Sequence, residues 1–350
     1  MPISDRKLAV IKSAFTLAAF LICSCLAAFA AAPGASSPLK LVRTVKLPAS
    51  IQGRFDHFGV DLRGNRLFLA AENAKEILVL DLNSGKLLHA IHGVVIPHAI
   101  AYRESSNRIY VTDGGAGDLK VFDGRTYQLR KSIKLRADAD SMTYDQTMRY
   151  LYIVNGGSDA HESYSFVSVI DTNTDAKVGE VRIDSPRLEA LAVETSSQKL
   201  YANNTGNNQI DVIDRDKYRF MTSWPIKLCK QNVPLAIDQA NHRLFAGCRS
   251  GAIAIVDTTN GKELQGLAIG TGIDDLVFDP QSKLLLASCG GDGAVYIYRQ
   301  KSADNYESLG HFSSGAGGRN SRFVPQLHQY YVAIPAHNPA PAEVLIYQAR

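Results

Sequence analysis

The 350-residue chain has a single tryptophan, Trp224, and no large excess of either charge, with 38 Lys and Arg against 34 Asp and Glu. A net charge of +4 gives no strong electrostatic footprint for nucleic acid or an anionic lipid surface. No G-x-S-x-G, H-E-x-x-H or C-x-x-C pattern occurs. The local signatures of a hydrolase elbow, a helical zinc site and a dithiol redox centre are therefore missing. The glycine pairs sit in turn-like contexts and form no phosphate-binding loop. No helical periodicity of useful length follows residue 40, and the apolar run Ala14–Leu26 is too short to span a bilayer comfortably.

That run has the flanks of an export leader. Arg6, Lys7 and Lys12 precede it, and Ala28-Phe29-Ala30 supplies an A-x-A cleavage pattern. Residues 1–30 are expected to be a signal peptide, residues 31–38 a flexible linker and residues 39–350 one folded unit, periplasmic or secreted, with no transmembrane segment. An uncleaved anchor, or lipidation at Cys25, is the less favoured alternative. Without residues 1–30 the balance is 35 basic to 33 acidic groups, about +2. Three cysteines remain, which leaves two readings open: a Cys229–Cys248 disulfide with Cys289 free, or three buried thiols.

What the chain does have is a repeat. The pair Leu67-Phe68 returns as Ile109-Tyr110, Leu151-Tyr152, Leu200-Tyr201, Leu244-Phe245, Leu284-Leu285 and Tyr330-Tyr331, at steps of 42, 42, 49, 44, 40 and 46 residues. A second marker follows each one: Ile77–Asp81, Leu119–Asp123, Val167–Asp171, Ile210–Asp214, Ile253–Asp257, Val295–Arg299 and Val344–Gln348. Each unit reads as four short β-strands broken at Gly, Asn, Asp and Ser turns. A period in the forties with four strands per unit predicts a seven-bladed β-propeller of antiparallel blades, all-β and monomeric. The last unit ends after its third strand, and Leu41–Leu47 (LVRTVKL) matches the fourth strand LRKSIKL of the second unit. An N-terminal strand is thus expected to complete the last blade and close the ring. The recurring Asp81, Asp123, Asp171, Asp214 and Asp257 are expected to cap the turn between the third and fourth strands.

These motifs resemble the YVTN-type, YncE-like seven-bladed propeller family of exported bacterial proteins. Tyr110-Val111-Thr112-Asp113 and Tyr152-Ile153-Val154-Asn155 stand close to the family's name motif. Asp56-His57-Phe58, Pro97-His98, Asp138-Ala139-Asp140, Ile273-Asp274-Asp275 and Pro335-Ala336-His337 are similar to its blade openings. The resemblance covers residues 39–350 and implies periplasmic residence and a binding role, with single-stranded DNA contact in one branch.

In such a ring the start of each inner strand and the end of the next strand share the mouth of the central channel. Counting twelve residues back from each marker gives Asp56, His98, Asp140, Glu189, Val233 and Arg319, with Asp274 in the shorter sixth unit. Their neighbours His57 and Asp275 join them. The ends of the second strands add Glu72, Asp113, Asn155, Asn203, Arg249 and His337. Charges gathered there must be paired, solvated or occupied.

The leading reading is an exported scaffold that recognises an unidentified small molecule or protein partner at the mouth. A divalent metal is one candidate ligand: Asp56, Asp140, Asp274 and Asp275 suit a hard cation, and His57, His98 and His337 a transition metal. The runner-up is a lactonase-like metal-dependent hydrolase, in which Glu189, Asn203 and Asp274 imitate the channel ligands of propeller lactonases. A third reading binds single-stranded DNA or protein through Arg103, Lys120, Arg125, Arg130, Lys131, Lys134 and Arg136; a solvated outer strand is the preferred account of that cluster. The insertion Ser158–Tyr164 is expected on the mouth face, with His161 and Glu162 as covering residues.

Overall fold

The computed structural model describes residues 37–350. The expected leader, and the expected linker up to residue 36, lie outside the described residues. From Leu39 the chain forms 28 strands in seven four-stranded antiparallel sheets. In the first blade the order from the channel outward is Phe58–Asp61, Arg66–Ala71, Glu76–Asp81 and Leu87–Ile91. The innermost strands of blades two to seven are Pro97–Arg103, Met142–Asp145, Leu191–Glu194, Asn232–Asp238, Ile273–Asp279 and Asn320–Val324. The two middle strands of each blade are buried on both faces. They therefore read as continuous apolar runs such as ILVL and AIAIV rather than as alternating patterns.

The seven cores do not lie within blades. Each hydrophobic cluster is shared by two neighbours: Phe68 and Val79 with Ile109 and Phe122, Tyr110 and Val121 with Leu151 and Ile170, and so on round the ring. The seventh cluster joins Leu67, Leu69 and Leu80 of the first blade to Tyr331, Val344 and Ile346 of the last. A 350-residue chain is long for one core, and this arrangement divides the burial among seven interfaces.

Closure follows the expected route. Leu39–Lys46 pairs antiparallel with Glu343–Ala349, from Leu39 opposite Ala349 to Lys46 opposite Glu343, with one irregularity between Leu41 and Arg43. The strand begins two residues before the matched sequence because Leu39 is itself buried, against the core between blades six and seven.

The repeated aspartates cap their turns. Oδ1 of Asp81 accepts from the Ser84 amide at 2.7 Å, that of Asp123 from Arg125 and Thr126 at 2.9 and 3.0 Å, and that of Asp257 from Thr259 at 2.8 Å. Cys229 and Cys248 form a disulfide across 19 residues, and Cys289 is a buried free thiol. Among the described residues, no helix is long and apolar enough to cross a membrane.

Deleting residues 39–48 removes the partner of Glu343–Ala349 and uncovers Val344 and Ile346. Loss of soluble protein, or proteolysis within minutes under conditions that leave the intact chain whole, is expected. A truncated chain that melts with the full one would contradict this account of closure.

Candidate functional site

All seven residues found by the twelve-residue count line one cavity of about 180 Å³ at the channel mouth: Asp56, His98, Asp140, Glu189, Val233, Asp274 and Arg319. His57, Glu72 and Arg249 line it too. Seven blades deliver these side chains because each inner strand starts at the same height, with its register set by pairing to a buried second strand. Four further charged residues in the wall escaped the sequence reading: Arg54, Asp138, Arg187 and Asp159. The first three stand two residues before Asp56, Asp140 and Glu189, so the same count shifted by two would have found them. Asp159 comes from the insertion expected at the mouth. In that insertion His161 is exposed and Glu162 lies 3.7 Å from Arg136.

The remaining candidates lie elsewhere. Asp275 stands behind His57, accepting at 3.1 Å from its Nδ1 and at 2.7 Å from the Ser321 amide. Asn203 is buried between blades, donating to the carbonyls of Val233 and Pro234 at 2.9 and 3.0 Å and accepting from Asn232 at 2.8 Å. Its amide is fully engaged, so Glu189, Asn203 and Asp274 do not converge as free ligands. His337 is exposed, with Nε2 2.8 Å from the Ala316 carbonyl. Asn155 bonds to the Arg136 amide and to Ser168. Asp113 accepts from the Val95 and Ile96 amides at 2.8 and 2.9 Å and pairs with Lys120 at 3.0 Å.

The charges of the mouth divide into two sectors. From blades four to seven and round to blade one, acids are matched by guanidinium groups. Arg187 reaches Glu189 at 2.6 Å, Arg54 reaches Glu72 at 2.5 Å, and Asp274 is held by Arg249, by Arg319 at 3.3 Å and by Asn320 at 3.1 Å. The other sector spans blades one to three and is dominated by carboxylates. His98 Nδ1 lies 2.6 Å from Asp56 and 3.8 Å from Asp140, and His57 Nε2 lies 3.4 Å from Asp56. Burial pushes the Asp56 carboxyl up, but His57 and His98 outweigh it and hold the group at about 2. Burial lowers His98, and Asp140 and Asp56 more than reverse this, to about 10. His57 is likewise held well above its ordinary value, against burial, by Asp56 and Asp275. Asp140 goes the other way: burial, with Asp56 and Glu189 adding to it against the pull of His98, raises it to about 7. Burial and the neighbouring Asp140 and Asp159 raise Asp138 to about 6. The wall therefore carries seven carboxylates against four guanidinium groups and two imidazoles, with its uncompensated negative charge on blade three.

The basic cluster of the second unit is largely engaged within the chain. Lys131 donates to the Asp175 carbonyl at 2.6 Å, Lys134 to that of Ala116 at 3.0 Å, and Arg130 pairs with Asp123 at 2.9 Å. Arg103 lies over Tyr144 at 4.1 Å and Arg136 over Phe166 at 3.6 Å. Trp224 packs against Tyr201 on an outer strand, away from the mouth.

No protein-family model matches the chain. Over 99 residues it is 29% identical to "Uncharacterized protein YncE" of Salmonella typhi and 28% identical to that of Salmonella typhimurium. The match spans 28% of this chain and 28% of the length of each relative. Among solved structures, Kuenenia stuttgartiensis hydrazine synthase superimposes with a TM-score of 0.72 at 16% identity, covering 86% of this chain and 96% of that one. A chain of the mitotic checkpoint complex gives 0.72 at 14% identity, covering 94% and 99%. At these identities the two structures speak for the fold alone. The chain is a seven-bladed β-propeller, with a 99-residue stretch similar to YncE.

Asp113 offers a control on how structural acids behave here. Its burial would raise the carboxyl, but the Ile96 and Val95 amides and Lys120 outweigh it and hold it below 3.8. Its contribution to stability is therefore present above the unfolded value and lost as pH falls through the lowered folded one. Asp113→Asn should cost about 1–3 kcal/mol at pH 7. In urea titrations the difference from the parent should shrink below pH 3.8. A penalty that is constant with pH would show that the charge plays no part.

Proposed function

We propose that this chain is an exported propeller scaffold whose work is recognition of a small polar or ionic ligand at the channel mouth. One observation carries the reading: every blade places its equivalent inner-strand residue on a single cavity, and the charges so gathered do not cancel. Salt bridges that only held blades together would be paired throughout, because an uncompensated buried charge is costly. The size of the cavity narrows the ligand. At about 180 Å³ it lies below the usual range for drug-sized ligands, and it has room for about six waters. Its apolar lining is confined to Leu188, Ala190 and Val233, so an apolar ligand finds little to bury against.

Export is supported by the basic-apolar-AFA pattern of residues 1–30. The Cys229–Cys248 disulfide adds to it, since such bonds persist chiefly in oxidising compartments. N-terminal sequencing of the protein recovered from the periplasm or medium should begin near Ala31; a cytoplasmic protein that retains Met1 would refute export.

Recognition is tested by trading stability against binding. Asp140→Asn removes a buried carboxylate that no hydrogen-bond donor reaches among the described residues, so the ligand-free protein should gain about 0.5–2 kcal/mol. The same variant should lose the mass excess that native mass spectrometry finds on gently purified parent protein. It should also lose the melting shift that the parent shows with a member of a panel of divalent cations, amines, amino acids and small organic acids. Destabilisation by Asp140→Asn, together with a bare parent mass and no shift from the panel, would make the cluster structural and sink the proposal.

A further inference from the structure

We propose that Asp56, His98 and Asp140 together bind one divalent transition-metal cation, of the Zn²⁺ or Mn²⁺ class, across the first three blades. The inference rests on reading the mouth as a ligand site and names the chemistry of that ligand.

Each of the three residues offers one donor atom, and the three atoms lie within 4.8 Å of one another. His98 Nδ1 stands 2.6 Å from Asp56 Oδ2 and 3.8 Å from Asp140 Oδ1. A cation bonded to nitrogen and oxygen at about 2.0–2.2 Å holds tetrahedral donors about 3.4 Å apart. Shifts on the order of 1 Å would therefore seat it. The cation would take the place of the proton shared by His98 and Asp56, and the two carboxylates would neutralise its charge. One imidazole with two carboxylates suits zinc or manganese better than the all-oxygen preference of magnesium and calcium.

Three further features point to these atoms. First, among the described residues no hydrogen-bond donor reaches the Asp140 carboxylate, although it lines the cavity; its closest cationic partner is His98 at 3.8 Å. By contrast Asp274 and Asp275, at the mouth end of the sixth blade's inner strand, are engaged by Arg249, Arg319, Asn320, His57 and the Ser321 amide. Second, Asp56 is supported from behind. Its Oδ1 lies 3.4 Å from His57 Nε2 and 3.4 Å from Asn320 Nδ2, which leaves Oδ2 turned towards His98. Such outer partners fix the orientation of a metal-binding carboxylate. Third, the His98 ring lies against Gly114. A Cβ at that position would stand 2.8 Å from Nε2, so glycine lets the imidazole pack on the backbone with Nδ1 turned to both acids. Gly114 is thus a positioning residue, and its backbone is not in the positive-φ region that would itself demand glycine.

The test uses the full chain as recovered after expression. Metal content is read by elemental analysis of protein purified without chelator, and affinity by calorimetric titration of chelator-treated protein with ZnCl₂ and with MnCl₂. One equivalent is expected for the parent. His98→Ala and Asp140→Asn should each weaken binding by at least about 100-fold, and Gly114→Ala by about 10–100-fold although it removes no ligand. His337→Ala, outside the cavity, should bind like the parent. Melting curves identify any variant that fails to fold, and Gly114→Ala and Asp140→Asn keep the question open to refutation if His98→Ala does. A parent that takes up neither metal overturns the inference, as does Asp140→Asn or Gly114→Ala binding with parental affinity. If neither metal binds but a non-metallic member of the ligand panel does, the metal site falls and recognition at the mouth stands. If nothing binds, both fall.

Discussion

Every property of this molecule depends on the burial of apolar side chains between blades rather than within them. A single four-stranded sheet has two apolar faces on its middle strands and nothing of its own to cover them. Here each face is covered by the next blade, and the last interface is completed by Leu67, Leu69 and Leu80 against Tyr331, Val344 and Ile346. Closure is what makes the arrangement finite, and it is secured by strand pairing between the two ends of the folded unit. Because the blades pack radially, their innermost edges converge on a common axis. The gathering of distant residues at the mouth is thus a geometric consequence of covering the middle strands.

The polar groups at the opposite end of the inner strands show what a structural use of charge looks like in this fold. There the buried acids have partners that tie one blade to the next. Arg215 of blade four reaches Asp145 of blade three, and Gln300 of blade six donates to Asp238 of blade five at 2.7 Å. Tyr110 donates to Asp175 of the next blade at 2.6 Å, while Glu194 accepts from Tyr201 at 2.8 Å and from Thr258 of the following blade at 2.9 Å. The aromatic marker of the repeat thus does two jobs at Tyr110 and at Tyr331, whose hydroxyl donates to the Leu82 carbonyl of blade one at 2.9 Å: the ring fills an interface and the hydroxyl bridges it. Both ends are built from the same inner strands, so the contrast between them is informative. At one end each of these acids has a hydrogen-bond donor, and at the other burial raises both Asp138 and Asp140, with Asp140 adding to it for Asp138 and Asp56 and Glu189 for Asp140.

The ring, its number of blades, its closure and the seven-residue circle at the mouth were legible in the sequence because each rests on periodicity. A buried strand must repeat its apolar pattern, and once that register is known, a fixed offset finds the same height in every blade. The count failed where function and structure use the same residue type at equivalent places. Glu72, Asp113, Asn155, Asn203, Arg249 and His337 share one blade position, yet only Glu72 and Arg249 line the cavity. Asp113 and Asn203 are drawn away by free backbone groups a few ångströms off, the Val95 and Ile96 amides in one case and the Val233 and Pro234 carbonyls in the other. Which amides and carbonyls are left free depends on loop conformation, and loops carry no period. The same holds for Asp159, supplied by the one irregular insertion, and for the choice between a disulfide and free thiols at Cys229 and Cys248.

A shared fold leaves the ligand open, since propellers related by shape at 14–16% identity need have no common site. The sign of a ligand at the proposed site is nonetheless constrained by what the mouth has left to offer. Each of its four guanidinium groups is already paired with a carboxylate of the wall: Arg54 with Glu72, Arg187 with Glu189, and Arg249 and Arg319 with Asp274. An anionic ligand would compete with Glu72, Glu189 or Asp274 for these groups. A cationic group meets the opposite situation. On blade three it finds Asp140, which no hydrogen-bond donor reaches among the described residues, beside Asp138; burial and neighbouring carboxylates raise both, and a cation favours their charged forms. Positive charge at the mouth therefore relieves a cost that the gathered carboxylates impose, whereas negative charge adds to it.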